Sequence, residues 1–189
     1  LVHYFYNLMI PEAFGYNRLR CHFPLLLRFN KEIPLDNKID FWGINYYYQM
    51  HLRFKSNPFR PFQMLFDQRS HEGRSDLGWE TYSTGIYRVM EWLRFTGKPF
   101  YITENGIATD DDDRRLAFLR FHLGVVDWAI KENFPLKGYF HWSFLDNYEW
   151  LEGYSARFGL LEVDHEKDLM RTIRKSGSEY AAHIRLNLK

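Results

Sequence analysis

Apolar and polar residues change period several times along the 189 residues, and each change marks an element. Leu1–Ile10 (LVHYFYNLMI) is nearly all apolar; it predicts part of a helix that Pro11 should break or kink. No clear period runs through residues 12–37. Arg18, Arg20, Arg28, Lys31 and Pro34 punctuate a helix or loop there, and Asp36-Asn37 signals a turn. Ile39–Tyr48 (IDFWGINYYY) predicts a strand. Its alternating sets, Phe41, Gly43, Asn45, Tyr47 and Trp42, Ile44, Tyr46, are both largely apolar, as in a parallel strand covered on both faces. The stretch from Gln49 to Trp79 holds Pro58, Pro61, Gly73 and Gly78 and reads as a long connection, which in a compact domain usually forms a lid or a pocket wall.

Ile86, Val89, Met90 and Leu93 recur at spacings of three and four, which predicts a helix over Glu80–Thr96 that Gly97 stops. Lys98–Gly106 (KPFYITENG) follows. Phe100–Thr103 suits a strand, Pro99 opens it, and Asn105-Gly106 closes it with residues that tolerate positive φ. Strict alternation puts Phe100, Ile102 and Glu104 on one face, with Glu104 at the lip of a core. Such a carboxylate is either held by an arginine or backbone amide, or does chemistry. Asp110–Asp113 precedes a helix over about Arg114–Lys131. Four consecutive aspartates point several ways, which suits a helix cap better than converging metal ligands. After Asn133-Phe134-Pro135, Gly138–Phe144 (GYFHWSF) predicts a third strand. Asp146–Arg157 is a polar and aromatic loop, and Ser176–Leu186 a last helix with Tyr180, Ala181 and Ile184 inward. Single strands alternating with helices indicate parallel βα units of an α/β protein. No repeat, low-complexity tract or linker interrupts them.

Composition narrows the function. A net charge of +1 with no long like-charged block gives no reason to expect nucleic acid or an anionic membrane as partner. No run of eighteen apolar residues or signal peptide is visible. Cys21 is the single cysteine, so no internal disulfide forms, and a reducing, cytoplasmic setting is expected. Six tryptophans and thirteen tyrosines allow either a ring-rich core or rings turned toward a polar ligand. The apolar start at Leu1, without an initiator Met, reads as the middle of a helix cut from something longer.

In a βα barrel the site is built at the C-terminal ends of the strands. Three such ends carry Asn45 with Tyr47, Glu104 with Asn105, and Trp142 followed by residues 146–150. Carboxylates, a phenol and indole faces suit a sugar, whose hydroxyls need acceptors and whose C–H faces stack on rings. His122 and His141 fit structural roles better than acid–base ones, and Asp146 and Asn147 fit shaping of the loop.

FWGINYY (Phe41–Tyr47), YITENG (Tyr101–Gly106), HWSFLDNYEWLEGYSARFGL (His141–Leu160) and, more weakly, DLGWE (Asp76–Glu80) resemble the motifs of glycoside hydrolase family 1, the β-glucosidase family, in its order and spacing. The resemblance implies a role for each matching position. Glu104 is the nucleophile that forms a glycosyl-enzyme, and Tyr47 is the phenol that hydrogen-bonds it. Trp142 is the platform under the non-reducing sugar, Glu149 and Trp150 bind its outer hydroxyls, and Phe158 lines the same subsite. Asn45 belongs to the same strand end, and Trp79 lies toward the leaving group. Glu149 would repel a 6-phosphate, so a neutral glycoside is implied. No cofactor or metal is needed, because two carboxyl groups supply the chemistry.

The second carboxyl group is missing. The family's acid/base belongs to a T-x-N-E-P segment, and no N-E-P occurs here. The resemblance therefore implies that residues 1–189 are the C-terminal part (strands 6–8 with flanking helices) of a single (β/α)8 TIM-barrel domain. An N-terminal barrel fragment on a separate chain would then supply the acid/base and close the barrel. The expected activity of the whole is retaining hydrolysis of terminal β-D-glycosyl residues, β-glucosides first. The rival reading is a non-catalytic fragment that binds carbohydrate or only completes a split barrel.

Overall fold

The computed structural model describes residues 3–23, 27–35, 37–55, 57, 62–65 and 70–187; Asp36 of the expected turn, Pro58 and Pro61 lie outside them. A single π-turn, Tyr4–Leu8, leads into helix α1, Met9–Tyr16. Pro11 neither ends nor breaks this helix. It sits buried in the first turn, where a backbone donor is dispensable. Asn17 ends the helix in the left-handed region at φ 54°.

Strands β1 (Arg18–Phe23) and β2 (Leu27–Glu32) then form an antiparallel hairpin with Arg18 opposite Glu32, where the sequence suggested helix or loop. Residues 18–23 do alternate, with Arg18, Arg20 and His22 between Leu19, Cys21 and Phe23, so a strand signal was present beneath the charges.

Strand β3, Trp42–Asn45, is shorter than the expected Ile39–Tyr48. The long connection after it is not structureless. It contains the antiparallel pair β4 (His51–Phe54) and β5 (Phe62–Leu65). Buried Glu80 anchors the connection, pairing with His51 at 3.1 Å and accepting from the Gln49 amide at 3.2 Å. Because Glu80 is engaged there, helix α2 starts later than expected, at Thr84, and runs to Arg94.

Strand β6 (Phe100–Asn105), helix α3 (Asp112–Lys131) and strand β7 (Leu136–His141) follow. β3, β6 and β7 form one parallel sheet in that order, as the βα alternation requires. β7 stops three residues before the expected end. β8 (Leu161–Asp164) and β9 (Met170–Ile173) form a hairpin that the sequence reading missed, and helix α4 spans Lys175–Asn187. α4 turns Ser176 and Gly177 fully inward. Tyr180 and Ala181 are half-buried, and Ile184, expected inside, is exposed.

Helices α2 and α3 cover one face of the sheet. Ile44, Phe100 and Ile102 pack there with Ile86, Met90, Leu93, Val126, Ala129 and Phe134. On the other face, Phe41, Gly43, Asn45, Thr103 and Phe140 are exposed, so the sheet is covered on one side rather than two among the described residues.

The acidic run before α3 is structural. Asp111 caps the helix, accepting from the amides of Asp113 and Arg114. Asp112 binds the Ser176 amide at 3.0 Å and buried Arg115 at 2.7 Å, which ties α3 to α4. Asp146 is a second buried tie. It takes both Arg174 guanidinium nitrogens, at 3.0 and 2.9 Å, and the Gly159 amide at 2.9 Å. Burial alone would raise its carboxyl; the bonds from Arg174, Gly159 and Arg157 with the Arg174 charge together outweigh burial and hold it below the ordinary range. His122 is fully buried, with Nδ1 2.8 Å from the Phe118 carbonyl oxygen, which can only accept. Nδ1 therefore carries the proton. Burial pushes His122 down to about 4 and His141 to about 3, so both stay neutral.

Two predictions follow from these buried groups. Asp146→Asn leaves Arg174 buried without its counter-charge and should cost about 3–5 kcal/mol in urea unfolding. For the histidines, the unfolded chain binds more protons than the folded one below about pH 6.5. Stability is then complete above that pH and falls as acid approaches the folded values, with the Asp146 contribution lost lower still. Histidine NMR titration should show His122 and His141 silent through neutrality; a normal titration midpoint for either would contradict their burial.

Candidate functional site

The C-terminal ends of the three parallel strands bring the candidate residues to one edge. Glu104 is the penultimate residue of β6, Tyr47 lies two residues beyond β3, and Trp142 directly follows β7. Glu104 does not share a face with Phe100 and Ile102, as strict alternation suggested. The pairing slips there: Asn45 opposes Glu104 while Ile44 opposes Ile102, and Ile102 to Asn105 spans only Tyr139 to His141 on β7. One extra residue is accommodated as a bulge. Ile102 and Asn105, three residues apart, are both fully buried, and Glu104 is turned toward Tyr47 instead.

The Tyr47 hydroxyl donates to Glu104 Oε2 at 2.6 Å, the short distance of a bond to a charged acceptor. Burial first, then this bond, drives the Tyr47 phenol far above its ordinary value, so it remains a donor at any working pH. Its ring is held edge-on by Trp79 at 5.8 Å and Phe158 at 5.9 Å. Trp79 in turn stacks on Tyr48 at 4.9 Å. Phe158 is buried with Ala108 and Ala156, its ring meets those of Tyr47 and Trp79, and Trp142 packs against the same cluster.

The Trp142 indole N–H donates to Glu149 Oε1 at 3.0 Å, which couples the ring platform to a second carboxylate. Trp150 begins a short 3-10 turn at positive φ and is 86% exposed. Asn45 is exposed at the end of β3 and accepts from the Thr103 hydroxyl at 2.6 Å. The structure thus gathers Glu104, Tyr47, Trp79 and Phe158 in one contact set, joined through the cluster of Ala108, Ala156 and Phe158 to the Trp142–Glu149 pair. Asn45 stands beside this set, and Trp150 projects away from the described residues.

Sequence reasoning missed the residues beneath the site. Asn105 was read as part of a turn, yet neither it nor Gly106 has positive φ. Asn105 is buried and donates to the Tyr46 carbonyl at 2.6 Å. Glycine is required at 106 for closeness, since a Cβ there would collide with the Trp142 carbonyl oxygen. An Asn at the end of an apolar strand was the available signal. Among the described residues, no three His, Cys, Asp or Glu side chains converge as for a metal. Chemically, the edge presents a carboxylate fixed by a permanent donor, beside rings and a further carboxylate.

Residues 20–188 match the profile of glycosyl hydrolase family 1. The chain belongs to this family. It is 40% identical over 164 residues to Beta-glucosidase A of Thermotoga maritima, covering 81% of this chain and 36% of that protein. It is 36% identical over 159 residues to a Beta-glucosidase of Agrobacterium sp., covering 78% and 34%. The beta-glycosidase from Pyrococcus horikoshii superposes with a TM-score of 0.82 at 37% identity, over 97% of this chain and 42% of that one. The Thermotoga maritima beta-glucosidase in complex with glucoimidazole gives 0.70 at 37%, over 80% and 36%. The family 1 chain spans about a third of the length of these curated relatives. Its structural neighbours are family 1 TIM barrels, and this mixed α/β chain corresponds to part of one.

The geometry predicts an alkaline titration. Tyr46, Tyr47 and Tyr139 are all raised by burial and should remain unionised where exposed phenols titrate, near pH 10. Phenolate absorbance should rise in two stages. Tyr47→Phe should reduce only the late one; loss from the early stage would mean that Tyr47 is not held as described.

Proposed function

We propose that this chain is the part of a retaining β-glycosidase barrel holding strands 6–8, here β3, β6 and β7, and that it supplies the nucleophile and much of the glycone subsite. The observation that carries this reading is the 2.6 Å bond from Tyr47 to Glu104, made at the C-terminal ends of adjacent parallel strands. Glu104 attacks the anomeric carbon and forms a glycosyl-enzyme, which water then releases with net retention. Tyr47 orients the attacking carboxylate by donating its hydroxyl, and keeps its own proton throughout. Trp142 stacks under the sugar, while Glu149, held by the Trp142 indole, and Trp150 take its outer hydroxyls. Phe158 and Trp79 wall the site, and Asn45 stands beside it at the end of β3.

Retention requires a second carboxyl group about 5–5.5 Å from the first. We assign it to a segment outside these 189 residues, equivalent to the remaining two thirds of the relatives and carried on a partner chain. The exposed sheet face with Phe41 and Phe140 is the surface such a segment would cover. The substrate class is a small neutral β-glucoside, with β-galactosides or β-fucosides as alternatives. One relative, 34% identical, is named a 6-phospho-beta-glucosidase; the Glu149 carboxylate argues against a phosphorylated sugar for this chain. A single, buried cysteine, Cys21, is consistent with a cytoplasmic setting.

Aryl β-glucoside hydrolysis tests the reading. This chain alone should be inactive, and the chain with its complementing segment active, with the β-anomer released first by NMR. Glu104→Gln should lower kcat by about 10³-fold or more. Assembly without turnover would favour a binding or complementing fragment instead, and release of the α-anomer would remove Glu104 as nucleophile.

A further inference from the structure

Glu104 and Tyr47 stand on different strands, and one buried side chain links the backbones that carry them. Asn105 is fully buried. Its amide nitrogen donates to the Tyr46 carbonyl at 2.6 Å, and its amide oxygen accepts from the Tyr139 hydroxyl at 2.7 Å. Around it, the Tyr46 amide donates to the Glu104 carbonyl at 2.9 Å, and the Trp142 amide to the Asn105 carbonyl at 2.9 Å. In a regular parallel ladder, a residue whose N–H binds the carbonyl of residue 104 receives the N–H of residue 106 at its own carbonyl. Here the Tyr46 carbonyl takes the Asn105 side chain, just after the bulge that turns Glu104 out of phase.

The Tyr46 carbonyl belongs to the peptide that joins Tyr46 to Tyr47. With the carbonyl of that peptide held by Asn105, and the preceding peptide held through the Tyr46 amide on the Glu104 carbonyl, the direction in which Tyr47 leaves the backbone is set. Any tilt of the plane is magnified at the far end of the phenol, where the bond to Glu104 is made. The Asn105 amide donates to the Tyr46 carbonyl while accepting from the Tyr139 hydroxyl; an ionised carboxylate would set lone pairs against the carbonyl. Tyr139 is itself anchored, since its backbone carbonyl accepts from the Tyr180 hydroxyl at 3.3 Å. We propose that Asn105 is a positioning residue that aims the Tyr47 hydroxyl at Glu104 through the peptide between Tyr46 and Tyr47, with Tyr139 fixing which way its amide faces. The proposal rests on Glu104 being the nucleophile.

The test is a double-mutant cycle in the complete, assembled enzyme, with near-ultraviolet circular dichroism to confirm folding. Asn105→Leu, of similar size but without either hydrogen bond, should lower kcat about 10- to 100-fold with KM changed by less than about 3-fold, the pattern of a misaimed group rather than a lost binding contact. In a Tyr47→Phe background, the same change should lower kcat by less than about 3-fold, because the interaction it serves is already gone. Losses that multiply would overturn the proposal. If Asn105→Leu does not fold, Tyr139→Phe takes its place in the cycle. Alone it should lower kcat about 3- to 10-fold, and an equal loss in the Tyr47→Phe background would likewise overturn the proposal. Glu104→Gln separates the two failures. If it keeps activity, the nucleophile assignment falls and the positioning role with it; if it is inactive while the cycle multiplies, only the positioning role falls.

Discussion

Everything at the site depends on β6 lying between β3 and β7 with all three strands parallel. Parallel neighbours cannot be joined by a tight turn, so each pairing needs a crossover, and α2 and α3 are those crossovers. They bury Phe100 and Ile102 completely and leave the strand ends on one edge. Direction alone therefore brings residues as distant in sequence as Tyr47 and Trp142 to the same place. The buried cluster and the candidate site are drawn from different ends of the same strands.

The bulge at Thr103–Glu104 is where the two demands separate. Without it, the carboxylate would follow Ile102 into an apolar cluster, where an unpaired charge is costly. With it, the neutral amide of Asn105 occupies the buried position and finds donor and acceptor partners, while the charged group turns to the phenol. The one-residue slip exchanges a buried charge for a satisfied polar side chain.

Much of this was legible in the residues. Strand and helix order, the cap before α3, and the convergence of Glu104 with Tyr47 all follow from periodicity and from strand ends. The hairpins β4–β5 and β8–β9 were not legible, because short amphipathic pairs take their support from each other rather than from a long run of one period, and the alternation of residues 18–23 was masked by its charged positions. The bulge was invisible because alternation is a rule about regular strands, and a single inserted residue reverses it. Pro11 and the late start of α2 misled for a related reason: tertiary partners, burial for Pro11 and the Gln49 and His51 contacts for Glu80, decided local structure that propensity left open.

The three hairpins have a further consequence. Each closes on itself through local antiparallel pairing and hangs from the parallel framework by its two ends. Doubling the length of such an excursion costs only about 0.6 kcal/mol in closure entropy, whereas moving any one of β3, β6 or β7 by a single register step would reverse a whole face. Evolutionary change in this scaffold is therefore cheap at the excursions and nearly forbidden at the rungs. New variants should arise by exchange of hairpins over an unchanging strand edge.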